Sequence, residues 1–378
     1  MQVLDEIIER GVTKGGEAGA SVVINKNGRQ VYSYSAGFAN VEEKKAFGAD
    51  TICRAFSCSK VVTATAAMIL MQRGKLDTAW ELGWFFPEFD KPFYIREGKK
   101  LESPKIRIRD LLNMTSGIPY PGGGNEGIQG TNDLWGAMDA SIRNGDPMTT
   151  EEFARQAGAQ ALMFPCGQEW MYGASADVLG AVIEKLADMR FSQFLEENIF
   201  KPLGMSDTAF FVPKEKRDRL AVLYEGTGEA RKKCDWVNLC IYDYEQAPAF
   251  ESGGAGLFTT ANDLSKLGAE LSHGGAGVIS RAAVNFMSKN GLTPEQRRTF
   301  NWDSTRGYGY ANLCRTLEDV NLAGTFAPEG SFGWDGWTGT YLLNDPKNGI
   351  STTVFLQRAG AGTSQLARDV VNGFYAQV

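Results

Sequence analysis

Residues 61–73 form a run of apolar residues and good helix formers with no polar face, the pattern of a helix buried on all sides. Gly74 stands where a C-cap belongs, with Lys75 just beyond it. Upstream, Val3, Leu4, Ile7 and Ile8 recur at helical spacing among acidic residues and predict a first, amphipathic helix. Residues 20–25 and 29–35 are β-rich runs joined through Asn27-Gly28, the dipeptide of a tight hairpin turn. A polar connection over 37–50 then leads to the buried helix. From residue 76 to about 247 the pattern changes to short helices between Pro/Gly loops, over 107–114, 150–161 and 176–187. The Gly-rich stretch 122–130 does not join a strand to a helix, so it is no phosphate cradle and reads as a flexible surface loop at the mouth of a site. Beyond Glu251, the run S-G-G-A-G-L-F-T-T suggests backbone packed close to another group. Helices over 261–272 and 281–288 follow, then strands over 308–313, 339–343 and 351–357, and an amphipathic helix over 364–375. Strands at both ends with helices between imply an α+β fold: one antiparallel sheet assembled from both termini, with the terminal helices on one face and a helical region inserted on the other. On that reading residues 1–75 and 251–378 form the sheet domain, and 76–250 a mainly helical one.

Composition narrows the function classes. A chain of 378 residues accommodates two domains or one large domain with an insertion, and 43% hydrophobic with 22% charged residues is ordinary for a globular protein. The net charge of -6 argues against nucleic acid or an anionic membrane surface as the main partner. No apolar run approaches the ~20 residues that span a bilayer. The acidic start lacks the basic lead and apolar core of a signal peptide. Cys53, Cys58, Cys166, Cys234, Cys240 and Cys314 are scattered without C-x-x-C spacing, and a single histidine makes a zinc site improbable. The expectation is a reduced, cytoplasmic protein without metal or cofactor, in which the sequon Asn113-Met114-Thr115 is a coincidence of composition.

The chemistry begins at Ser57 and Lys60, three residues apart and so on one face at the start of the buried helix. Unpaired N–H groups there favour developing negative charge, and a buried lysine loses enough basicity to serve as a proton acceptor. That pair makes a nucleophile with its own base. The plainer alternative, a capping serine and a solvated lysine, also fits S-x-x-K alone. A Ser-His-Asp enzyme would need His273, the sole histidine, which the dipole at a helix end already explains. The nearest nucleophile elbow, Gly173-Ala174-Ser175-Ala176-Asp177, lacks the final glycine and a preceding strand. Lysine and tyrosine are therefore the expected bases. Tyr172, just before an apolar helix, is the tyrosine candidate, with an aromatic plug as its alternative role. Near the C-terminus, S-F-G-W-D-G-W-T-G-T-Y sets two tryptophans before a strand, able to wall an apolar acyl pocket or to form a hydrophobic rim. The acid pairs Glu42-Glu43 and Glu151-Glu152 look like solvated faces and helix starts.

Taken in order, these pieces resemble the serine β-lactamase and penicillin-binding-protein superfamily, most closely its class C-like branch and the family VIII carboxylesterases. The resemblance spans nearly the whole chain. It rests on S-x-x-K at 57–60, I-R-I-R-D-L-L-N-M-T-S-G-I at 106–118, M-F-P-C-G-Q-E-W-M-Y at 163–172, I-F-K-P-L-G-M-S-D-T at 199–208, S-G-G-A-G-L-F-T-T-A-N-D-L at 252–264 and the strand opening at Gly333. It implies a β-lactamase-like sandwich in which Ser57 is the nucleophile, Lys60 its activating partner and Tyr172 the tyrosine of Y-x-N, a base shared by acylation and deacylation. A cationic Lys60 nearby would favour phenolate character in Tyr172. Trp334-Asp335-Gly336 occupies the place of K-T-G or H-x-G, and the backbone N–H groups of Ser57 and Trp337 would form the oxyanion hole. Two positions depart from the pattern. Ala174 replaces the asparagine of Y-x-N, and Trp334 replaces a cation that greets a substrate carboxylate. Both losses argue against an efficient penicillinase or peptidase and favour a carboxylesterase acting on small or medium acyl esters. The expected partner is a small-molecule ester or amide substrate. The rivals are a transacylase, a β-lactamase or D-amino-acid peptidase, and a non-catalytic descendant that binds a ligand in the old cleft. Cys58, beside the nucleophile, is expected to pack against the helix core.

Overall fold

The computed structural model describes residues 2–275 and 277–378. Its centre is a sheet of eight strands, ordered Tyr308–Ala311, Cys314–Leu317, Phe332–Asp335, Tyr341–Asp345, Ile350–Phe355, Gly19–Lys26, Arg29–Asn40 and Lys45–Ala46. Every neighbouring pair is antiparallel. The two ends of the chain meet where Val22 lies opposite Val354. At the expected hairpin both Asn27 (φ 52) and Gly28 (φ 75) are left-handed, the geometry that matches strand twist and favours Asn-Gly. The second strand runs on to Asn40, through residues the sequence pattern assigns to the polar connection.

The first helix, Gln2–Thr13, buries Leu4, Ile7 and Ile8, and the last, Gln365–Tyr375, buries Leu366, Ala367, Val370, Val371 and Phe374. They pack together over one face, tied to the sheet by Tyr32–Asp5 (2.6 Å) and Tyr375–Asp345 (2.8 Å) hydrogen bonds. The opposite face carries the Ala261–Ser272 helix, whose Ser265 carbonyl accepts from Asn25 Nδ2 at 3.0 Å. The Ser59–Gln72 helix lies between the sheet and the helical region, and its residues 59–70 are all buried. Its end is a Schellman cap: Gly74 (φ 66) donates to Met71 O at 3.0 Å and Lys75 to Leu70 O at 2.9 Å.

Elsewhere the structure corrects the pattern. The strand expected over 308–313 stops at Ala311, because Asn312 (φ 51) and Leu313 (φ 60) make a tight turn into a further strand, Cys314–Leu317. Leucine is a poor turn residue, but full burial and a 2.7 Å bond from its N–H to Leu112 O hold it there. The Gly-rich loop ends at Gly127, where the 16-residue helix Ile128–Arg143 begins. That helix buries only Thr131, Leu134, Trp135 and Met138, a stripe too thin to announce itself in sequence. The hairpin Phe93–Arg96/Lys99–Glu102 and the helix from Phe191 through a π-turn at Glu196–Phe200 to Leu203 also lie outside the expected elements.

Candidate active site

Ser57 sits on a 3-10 turn, Phe56–Cys58, that runs into the Ser59–Gln72 helix, so it precedes the α-helix where the sequence expectation put it in the first turn. In a 3-10 turn residues i and i+3 still eclipse, which keeps Lys60 beside it. Phe56 is left-handed (φ 42), a conformation that costs a non-glycine residue roughly 1–3 kcal/mol. Its neighbours hold it there. Ala55 N–H donates to Leu257 O at 2.9 Å, and Ala55 O and Arg54 O accept from Thr340 and Thr338 hydroxyls at 2.7 and 2.8 Å. The Phe56 ring abuts Trp337 with centroids 5.0 Å apart.

Lys60 is wholly buried, which excludes the solvated alternative. Its Nζ lies 3.3 Å from Ser57 Oγ, 2.7 Å from Gly254 O and 3.1 Å from the Tyr120 hydroxyl, and 4.5 Å from the Tyr172 ring centre. Burial pulls its pKa down to about 7, against the opposing pull of Asp177, Cys58 and Asp335. The same burial pushes Tyr172 above the ordinary phenol range, although its contacts with Ser57 and Trp334 lower it in part. This reverses the expected phenolate: desolvation disfavours the charged form of both groups, leaving a neutral phenol beside an amine close to neutrality.

The W-D-G strand completes the site. Trp334 Nε1 donates to the Tyr172 hydroxyl oxygen at 3.0 Å, with the rings stacked 5.5 Å apart at 23°. Asp335 is ion-paired with buried Arg315 at 2.8 Å, and the guanidinium lies near the Tyr308, Trp334 and Tyr341 rings. A Cβ at Gly336 would collide with Ala55 O and Thr340 Oγ1, so only glycine lets this turn close on the segment before Ser57. Ala174 is buried in the helical region, where it borders a small void with Ile118, Trp135 and Phe153. Trp337 points its ring at Phe56 and half-exposed Trp236, and these three line a cavity of about 480 Å³ with Ile241, Tyr242 and the Arg54–Asp243 ion pair. On the other flank half-exposed Trp302 stands 5.4 Å from the Tyr172 ring.

Two groups at the site, one partly and one fully buried, escape sequence reasoning. Tyr120 bridges Lys60 and Asp177, its hydroxyl 3.2 Å from Asp177 Oδ2. The only signals were a tyrosine abutting the Gly-rich loop and an acid in the first turn of the Ser175–Ala187 helix, which the dipole alone would explain. Ser175 instead bonds to Ser116 Oγ at 2.8 Å, while His273 caps a helix beside the Gly28 turn, so the two do not form a catalytic pair. Cys58 is buried with its thiol against Trp334 O, and burial raises its pKa to about 12. Among the described residues no cluster of His, Cys, Asp and Glu could hold a metal ion, and no helix is long and apolar enough to cross a membrane.

A family model described as beta-lactamase matches residues 4–374. The chain belongs to the beta-lactamase family. Within the family it is similar to esterase EstB of Burkholderia gladioli, 26% identical over 96% of this chain and 91% of that one. The solved structure of EstCE1, described as a hydrolase with promiscuous acyltransferase activity, superposes with a TM-score of 0.83 at 26% identity over 99% and 98% of the two chains. A family VIII carboxylesterase shares the fold at TM-score 0.74 and 17% identity, over 100% and 97%. The beta-lactamase fold thus carries the α+β sheet anticipated from both termini, and the esterase branch of the family is among its neighbours.

Proposed function

We propose that this protein is a carboxylesterase that works through an acyl-enzyme on Ser57. The observation that carries the reading is the buried Lys60 amine, 3.3 Å from Ser57 Oγ with a pKa brought to about 7. Such an amine is a competent base at neutral pH, and its task needs no histidine. Ser57 Oγ attacks the ester carbonyl as its proton passes to Lys60. The tetrahedral intermediate collapses, the C–O bond to the alcohol breaks, and the alkoxide leaves with a proton delivered through Lys60 or the neutral Tyr172 hydroxyl. Water then reverses the sequence and releases the acid. The N–H groups of Ser57 and Trp337 would receive the oxyanion, and neither has a protein acceptor among the described hydrogen bonds.

Preference for esters over β-lactams follows from two side chains. Trp334 presents an indole where the resemblance implies a cation, and Ala174 offers no amide. The name of esterase EstB agrees with esters as substrates. Transfer of the acyl group to a second alcohol is the alternative outcome, favoured by the EstCE1 likeness and by the exposed Trp302 face beside Tyr172, where an alcohol with an apolar body would pack. We place the protein in the cytoplasm because all six cysteines stand free. The test is hydrolysis of p-nitrophenyl acetate and butyrate beside nitrocefin, by wild type and Ser57→Ala. Ester turnover lost in the variant, with little nitrocefin turnover, is expected. Nitrocefin turnover rivalling the esters would refute the ester preference.

A further inference from the structure

We propose that Asp177 and Tyr120 act as positioning residues that aim the lone pair of Lys60 at Ser57. The inference rests on Lys60 being the base, and it follows from counting donors and acceptors. A neutral amine has two hydrogens and one lone pair. Lys60 Nζ has three neighbours at bonding distance: Gly254 O (2.7 Å), the Tyr120 hydroxyl (3.1 Å) and Ser57 Oγ (3.3 Å). Gly254 O is a carbonyl and accepts one hydrogen. The Tyr120 oxygen could donate or accept, and Asp177 decides which.

Asp177 is fully buried and surrounded by donors. Its Oδ1 accepts from Gly254 N at 3.1 Å and from the Ser252 hydroxyl, which itself accepts from Ala255 N–H at 2.9 Å and so points its proton at the carboxylate. Its Oδ2 faces the Tyr120 hydroxyl at 3.2 Å. Burial raises the Asp177 pKa, but Lys60 and the donors of Ser252, Gly254 and Tyr120 oppose it and favour the carboxylate. A carboxylate can only accept, so the Tyr120 proton turns to Asp177 and a Tyr120 lone pair turns to Lys60. Both amine hydrogens are then committed, and the one remaining position, the lone pair, meets the Ser57 hydroxyl. Once Lys60 takes the proton, the ammonium has three hydrogens for three oxygens, and the Asp177 charge lies one hydroxyl away. The cluster also requires residue 254 to be glycine, since a Cβ there would collide with the Tyr120 hydroxyl and lie 2.7 Å from Asp177 Oδ2.

The titratable groups facing Lys60 are Tyr120, Tyr172, Cys58, Asp177 and Asp335; of these Asp177 is the strongest support for the ammonium. The test measures the rate of Ser57 phosphonylation by a fluorophosphonate against pH, in the full-length wild type, Asp177→Asn, Tyr120→Phe and Ser57→Ala. In the labelled step the Oγ–P bond forms, fluoride leaves and the serine proton goes to Lys60. Wild type should label with an acid limb near neutral pH, and Ser57→Ala should not label. Tyr120→Phe, which removes one oxygen, should lower the plateau on the order of 10²-fold. Asp177→Asn cannot accept all three bonds, so its plateau should fall similarly. Its acid limb should also move down by about one pH unit, because the neighbouring negative charge is gone. An aspartate that was protonated, and so only structural, would not move that limb. Wild-type plateau and limb in either a folded Asp177→Asn or Tyr120→Phe would overturn the positioning alone. A wild type that does not label at Ser57 would overturn the esterase reading and the positioning with it.

Discussion

Replacing Trp334 with phenylalanine separates the packing of this residue from its hydrogen bond. The indole is nearly buried, stacks on Tyr172, meets Tyr310 edge-on at 5.2 Å and donates to the Tyr172 oxygen at 3.0 Å. Phenylalanine keeps a ring in the stack but removes the N–H and part of the bicycle. Loss of one buried hydrogen bond costs about 1 kcal/mol. The missing ring atoms add about 1–2 kcal/mol of lost burial and incomplete refilling. The sum, roughly 2–3 kcal/mol, is measurable as a shift of the urea midpoint at constant slope. Activity should fall as well. The indole N–H holds one lone pair of the Tyr172 oxygen and draws its pKa down against burial. Without it the phenol turns more freely and gives up its proton less readily. We expect kcat/KM for p-nitrophenyl butyrate to drop about tenfold, equivalent to one hydrogen bond of ~1.4 kcal/mol in the transition state. A variant that loses stability but keeps wild-type kcat/KM would show the indole to be packing only, and one that loses neither would refute the argument.

Other substitutions probe other parts. Lys60→Met should abolish ester turnover and change the pH dependence of stability. Because the folded-state pKa lies near 7 and the unfolded one near 10.5, the unfolded chain binds the extra proton between these values, so wild-type stability should rise with pH across that window. The slope should be shallower in Lys60→Met, as followed by urea melts at successive pH values. Arg315→Met should destabilise by about 3 kcal/mol, because the largely covered Asp335 is left without its counter-ion; an unchanged urea midpoint would contradict this. Gly336→Ala pushes the Ala55 backbone away and should displace Ser57, lowering kcat/KM about 10²-fold with a smaller loss of stability. Wild-type kinetics in that variant would mean the collision is relieved elsewhere.

What could be read from sequence was local. The Ser57–Lys60 spacing, the buried helix behind it, the Asn27-Gly28 turn and the amphipathic spacing of the last helix each depend on residues within a few positions of one another. Tyr120 and Asp177 stayed hidden because their meaning arises only when segments around 60, 120, 177 and 252–254 converge. The protonation of Tyr172 was misjudged for a similar reason: the sign of a charge nearby can be guessed from sequence, but the depth of burial that outweighs it cannot. The turn at Asn312-Leu313 was missed because tertiary burial, not turn chemistry, pays for it.

The meeting of the two chain ends in one sheet has a consequence for biosynthesis. The strand Gly19–Lys26 emerges from the ribosome long before its partner Ile350–Phe355. Until then one edge of the hairpin lies open and the buried Ser59–Gln72 helix lacks part of its cover, including the Phe332–Asp335 strand. Such late, long-range closure folds slowly and leaves nascent chains prone to aggregate, so chaperone depletion should reduce the soluble yield of this protein more than that of a chain with local contacts. It also couples competence to completion. Ser57 and Lys60 are translated long before Trp334 and Gly336, so a product stalled or truncated between them holds the nucleophile without the site that would make it reactive.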